Sequence, residues 1–159
     1  MIHAKLLSVA ALAGLFSSCA NNYSLPKDYT GPTATIQNTG TAQDAFKASV
    51  FRVSKVEGKN SLSSPMRTPY GGGPGVMIGE SKVQIPAGQP IQLTLSAHDH
   101  FAADGAALVY TFGGNVAKTA TETFTFTPKA NATYLVNGQL GKESSSVWMN
   151  DAASGQRYP

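Results

Sequence analysis

Three consecutive residues, His98-Asp99-His100, carry the side chains best suited to chemistry in this 159-residue chain. On an extended strand, residues two apart point to the same side, so the imidazoles of His98 and His100 stand about 7 Å apart. Two imidazoles on one face can share a transition metal, with Asp104 from the following loop or Asp99 as a further ligand. A structural metal site usually takes four ligands, however. The same residues also read as a strand end running into the polar loop from His98 to Gly105. The loop reading is preferred, and no metal is expected; His98, His100 and Asp104 are the candidates that would hold one.

Other catalytic patterns find less support. Serines are abundant, but no Gly-x-Ser-x-Gly elbow presents one as a nucleophile. The remaining histidine, His3, lies in the N-terminal apolar segment. Gly71-Gly72-Gly73-Pro74-Gly75 lacks the Gly-Lys-Ser/Thr ending that sets a lysine on phosphate, so it reads as a flexible loop. Glu57, Glu80, Glu122 and Glu143 are isolated from one another, so no pair with glycosidase spacing is visible. Tyr110, Phe112, Phe124, Phe126, Tyr134 and Trp148 fall mostly at strand positions and read as core rather than as a platform for stacking sugars. The expected protein is not an enzyme and needs no cofactor.

Cys19 is the only cysteine, and it follows an apolar run from Leu6 to Phe16 and two small serines, with Lys5 before the run. A basic start, a short apolar stretch and small residues before a cut form a secretory signal. The run is shorter than the roughly 20 residues that cross a bilayer. Leu15-Phe16-Ser17-Ser18-Cys19 resembles the lipobox of bacterial lipoproteins, with Phe16 where leucine is commoner. The resemblance implies that residues 1–18 are removed and that the Cys19 thiol carries a diacylglycerol, with a further acyl chain such as palmitate on the new amino group. Two or more chains make such attachment stable. Ala20, rather than an aspartate, follows the cysteine. In Gram-negative lipoproteins this implies delivery to the outer membrane, with the domain on the periplasmic face. A lipidated Cys19 leaves no thiol for a disulfide, thiolate catalysis or a cysteine-based zinc site.

Removing the signal leaves roughly 140 residues, one ordinary domain. The formal net charge of the chain is +3, and its basic residues are scattered. No block of them reads as a nucleic-acid surface. Residues 19–32 read as the lipidated cysteine and a tether, because Asn, Ser, Pro and Gly dominate there. Residues 33–159 then read as a chain of short strands. Thr33–Ile36 and Ser49–Val56 come first, with Phe46, Val50 and Val53 also at a helical spacing that the β-branched content outweighs. Residues 65–75 form a long loop. Val76–Ile78 and Val83–Ile85 precede the clearest pattern, in which Ile91, Leu93, Leu95 and Ala97 alternate with Gln92, Thr94, Ser96 and His98. Such alternation marks a strand with one face on a core and one in water. Leu108–Phe112, Thr123–Thr127, Ala132–Val136 (stopped by Asn137-Gly138) and Val147–Met149 complete the set. About seven or eight strands at this spacing predict an all-β fold, a single small β-sandwich of immunoglobulin-like or related type.

Three segments carry a further resemblance. The Pro86-Ala87-Gly88 turn between Val83–Ile85 and Ile91–Leu95, the stretch Phe124–Tyr134, and Gly31–Ile36 look like those of uncharacterised proteobacterial envelope lipoproteins with one small β-sandwich domain. The motifs are structural turns and transfer no catalytic residue. They imply a lipid-anchored binding or structural accessory whose partner is another envelope protein, engaged through loops or an edge strand. Arg67 and Tyr70, in the loop from Arg67 to Gly75, are residue types that often carry interface energy. Two alternatives remain: a metal-binding protein using His98-Asp99-His100, and an inhibitor inserting the 67–75 loop into a periplasmic or host hydrolase.

Overall fold

A computed structural model describes residues 21–67, 75–102, 111–112 and 116–159. The fold is all-β. Its strands are β1 (Thr33–Ala42), β2 (Lys47–Val56), β3 (Lys59–Asn60), β4 (Met66–Arg67), β5 (Met77–Ile78), β6 (Ser81–Pro86), β7 (Ile91–Phe101), β8 (Thr119–Phe126), β9 (Thr133–Leu140), β10 (Ser145–Asp151) and β11 (Arg157–Tyr158). Nine of them form one curled sheet in the order β11-β10-β9-β1-β2-β7-β8, with β6 on β1 and β3 on β2; β4 and β5 form a small second sheet.

The curl makes two layers, and β1 belongs to both. Its first half, Thr33 to Asn38, pairs with β6. Its second half, Thr39 to Ala42, pairs with β2. Where a strand changes layers, its old and new neighbours lose ladder partners, and a buried unpaired backbone group is costly. Side chains supply the missing bonds here. The buried Asn38 accepts from the Val53 backbone N–H at 2.9 Å and donates to Ser81 Oγ at 3.0 Å. Thr39 Oγ1 donates to the Val136 carbonyl.

The core lies between the layers and follows the predicted alternation. Ile91, Leu93, Leu95 and Ala97 of β7 point inward, as do Ala34 and Ile36 of β1, Val83 and Ile85 of β6, Tyr134 and Val136 of β9, and Val147 and Met149 of β10. Strand β2 breaks strict alternation. Val53 lies opposite Leu95 but Lys55 lies opposite Thr94, so Ser54 is an extra residue. This bulge resets the parity and lets Phe51, Val53 and Val56 all reach the core. The bulge residue is held by Ser54 Oγ donating to the Thr94 carbonyl at 3.0 Å.

Several expectations change. Asn137-Gly138 does not end its strand; β9 runs through to Leu140, paired with β10 by Val147 opposite Gly138. Glycine is required there because a Cβ would meet the Phe51 ring at 2.5 Å and the Ser146 carbonyl at 2.8 Å. Strand β9 also pairs parallel with β1, a long-range contact that local patterning does not encode. Trp148 is not core. Its neighbours Val147 and Met149 are buried, while its own ring faces outward beneath Arg157, whose guanidinium carbon is 4.2 Å from the ring centroid. Phe112 is 85% exposed. The expected strand 108–112 lies outside the described residues except for Thr111 and Phe112, which belong to no strand, and Tyr110 lies outside them too. The expected 65–75 loop contributes Met66 and Arg67 to β4.

Candidate functional site

The curled sheet has two ends, and the chain distributes different chemistry to each. Strands β2 and β7 are antiparallel with Val56 opposite Leu93 and Lys47 opposite Phe101, which fixes the ends. One end carries the Glu57-Gly58 turn and the 86–90 turn; Glu57 N–H bonds the Gln92 carbonyl at 2.9 Å. The other carries the β1–β2 turn, the β4–β5 hairpin and the connection from β7 to β8. There, Val76 N–H bonds the Ala45 carbonyl at 3.1 Å and Ala102 N–H bonds the Phe46 carbonyl at 2.8 Å.

Among the described residues, this second end holds most of the exposed large apolar side chains. Phe46 is 50% exposed, Met77 55%, Phe112 85% and Val116 79%; among the described residues the only other large exposed hydrophobic is Leu62. Phe46 is in the β1–β2 turn, Met77 in β5, and Phe112 and Val116 on the connection that leaves β7 and returns as β8. Scattered exposed apolar residues are ordinary on a protein surface; their gathering at one end makes that end the candidate contact surface. Arg67 is the last residue of β4, so the 67–75 loop starts and finishes at this end. Its guanidinium folds back on its own hairpin, donating to the Glu80 carbonyl at 2.9 Å. Tyr70 lies outside the described residues, as do Cys19 and Asp104.

The His98-Asp99-His100 triplet lies at the end of β7, which runs to Phe101, as the strand-end reading expects. Strand geometry separates its members. His98 and His100 share the outer face, with ring centroids 6.5 Å apart. Asp99 faces inward, where its side chain is fully buried and Oδ2 meets Lys47 Nζ at 3.1 Å. Ser49 Oγ, at 3.4 Å, and the Lys118 backbone N–H, at 3.3 Å, also bond this carboxylate. Asp99 is therefore committed to an ion pair on the opposite face from the imidazoles. Burial holds His98 below the usual imidazole range, Arg52 and His100 push it further down, and Asp99 partly opposes them. Among the described residues no three His, Cys, Asp or Glu side chains come together as a metal would need.

The other chemically loaded positions have structural partners. Lys129 Nζ reaches Asp151 Oδ2 at 3.5 Å. Backbone N–H groups of Ser154 and Ala153 hold the Asp151 carboxyl below the usual range, helped by Lys129. Asp151 thereby closes the turn after β10. On the outer face of β8 and β7, Thr94 and Thr123 share a hydroxyl hydrogen bond of 3.0 Å. No helix among the described residues is long and apolar enough to cross a membrane. Comparison with family models, curated proteins and solved structures yields no match.

Sequence reasoning missed Phe46, Met77 and Val116 as surface residues. A lone apolar residue next to a turn looks the same whether it is buried or exposed. Only the tertiary fold shows that these are left uncovered together.

Proposed function

We propose that this protein is a non-enzymatic, lipid-anchored envelope protein acting as a binding or structural accessory. Cys19 holds it to the outer membrane, and its domain faces the periplasm. The anchor rests on the Leu15–Cys19 pattern. The observation that carries the binding role is the collection of Phe46, Met77, Phe112 and Val116 at one end of the sandwich. Covering half of such a side chain in an interface contributes on the order of 1 kcal/mol. Four of them supply the apolar centre of a standard interface. The partner is another envelope protein, and Arg67, where the 67–75 loop begins, lies at the same end.

The test replaces Phe46, Met77 and Val116 together with serine and compares in-cell cross-linking with the wild type. These side chains are exposed, so stability should change little. Loss of one discrete cross-linked partner in the variant is the expected result. An unchanged pattern refutes the assigned surface, and no discrete partner in either sample refutes the accessory role. In parallel, Cys19→Ala should leave the protein unlipidated and abolish its membrane retention. Unchanged retention and processing refute the anchor.

A further inference from the structure

The segment just after Cys19 is bonded to the domain. Residues 21–23 do not hang free. The Asn60 N–H donates to the Asn21 carbonyl at 2.7 Å, and the Tyr23 N–H donates to the Asn60 carbonyl at 2.7 Å. Asn22 and Asn60 thereby form a parallel bridge. The Tyr23 phenol donates to the Gln84 carbonyl at 3.0 Å, and its ring packs on the core. Burial pushes the phenol pKa up to about 12, with Tyr29 and Glu57 adding to the rise.

Because the bridge is parallel, the chain enters alongside β3 from the side of the Glu57-Gly58 turn. Cys19 precedes Asn21 by two residues, a span of at most about 7 Å. A lipid on Cys19 therefore places the bilayer surface beside that turn. The surface exposed there suits headgroups. Lys55 and Lys59 are exposed in the β2–β3 hairpin. The one carboxylate between them, Glu57, accepts the Gln92 backbone N–H. Cations within a Debye length of anionic lipid are attracted to it.

We propose that the sandwich stands directly on the membrane by its β2–β3 end, with Lys55 and Lys59 on anionic lipid headgroups. The docked segment Asn21–Tyr23 fixes the orientation. This rests on the lipid-anchor reading. It adds that the anchor is a short, seated strap, which aims the Phe46–Met77–Val116 end away from the bilayer. β2 alone is about 30 Å long, so the two ends differ greatly in depth.

The geometry can be tested without relying on natural lipidation. The chain from Cys19 onward is coupled through its single thiol to a maleimide lipid in nanodiscs that also contain a gadolinium-chelate lipid. Amide relaxation is then read by NMR. Amides of residues 57–59 should relax at least about tenfold faster than those of residues 43–46, given the roughly 30 Å between them. Tyr23→Pro removes both the N–H and the phenol, and should flatten the gradient while leaving the β7 amide shifts unchanged. Nanodiscs containing phosphatidylglycerol should give a steeper gradient than neutral ones, and Lys55→Glu with Lys59→Glu should remove that difference. Equal relaxation at both ends, or a gradient indifferent to Tyr23→Pro, overturns the seated strap. A gradient independent of lipid charge overturns the lysine contact. Because coupling is synthetic, failure here is distinct from failure of Cys19 lipidation, which is read by the mass of the protein extracted from membranes.

Discussion

Gly138→Ala offers the sharpest test of how the layers meet. By local propensity alone, replacing a strand glycine with alanine gains about 0.5–1 kcal/mol. The tertiary contacts predict the opposite. The new methyl would lie 2.5 and 2.7 Å from two carbons of the Phe51 ring and 2.8 Å from the Ser146 carbonyl. Ordinary contact begins near 3.4 Å, so the ring must withdraw by about 1 Å. Phe51 is buried, and overpacking of this kind costs about 1–3 kcal/mol. The carbonyl belongs to the backbone of β10 and cannot rotate away, which places the cost at the upper end of that range. Urea denaturation of Gly138→Ala should therefore show a loss of about 2–3 kcal/mol. The decisive measurement is the double-mutant cycle. Phe51→Ala alone should cost about 3–5 kcal/mol. In that background the added methyl has room on the ring side, so Gly138→Ala should cost at least about 1 kcal/mol less than in the wild type. If Asn137-Gly138 were a turn, the cost would come from backbone strain and Phe51 would be irrelevant. Additivity of the two changes would refute the interlayer contact.

Three further outcomes follow from the same structure. Leu93→Asp should cost more than about 4 kcal/mol, since it forces an unpaired charge into the core, whereas Thr94→Asp, on the outer face, should stay within about 1 kcal/mol; equal losses in chemical denaturation refute the assigned faces. Lys47→Met strands the fully buried Asp99 carboxylate and should cost about 3–5 kcal/mol, most of it recovered by adding Asp99→Leu; a double variant no better than the single refutes the pairing as the cause. His98 has a folded-state pKa below its ordinary 6.5. The unfolded chain therefore binds the proton first as pH falls, so its contribution is intact above about 6.5 and is lost progressively below it. His98→Gln should flatten the decline in melting temperature between pH 7 and pH 5, and an unchanged decline refutes the assignment.

Much of this architecture was open to reading along the chain. The alternation of Ile91, Leu93, Leu95 and Ala97 named the buried face of β7, because strand side chains repeat every two residues whatever the neighbours are. Glycine and proline at 57–58 and 86–90 marked turns, since their backbone preferences are local. The Cys19 pattern is likewise a linear signal that needs no fold.

What the chain alone left undecided depends on which strands become neighbours. Asn137-Gly138 carries the composition of a turn, but Phe51 from the opposite layer needs the space that glycine leaves, so the strand continues. Trp148 looks like a core residue by type, but its parity is set by Val147 and Met149, and pairing with β9 decides which of the two faces is inside. Asn38 is an unremarkable polar residue until β1 changes layers and leaves the Val53 N–H to be satisfied. The strand period already parts Asp99 from the imidazoles of His98 and His100, but its partner Lys47 comes from β2 and is found only in the fold. The Asn21–Tyr23 strap is read only from its bonds to Asn60, nearly forty residues away in the sequence. In each case the local signal is real, but the deciding energy, whether steric contact, backbone satisfaction or charge pairing, is a property of residues distant in sequence that folding brings together.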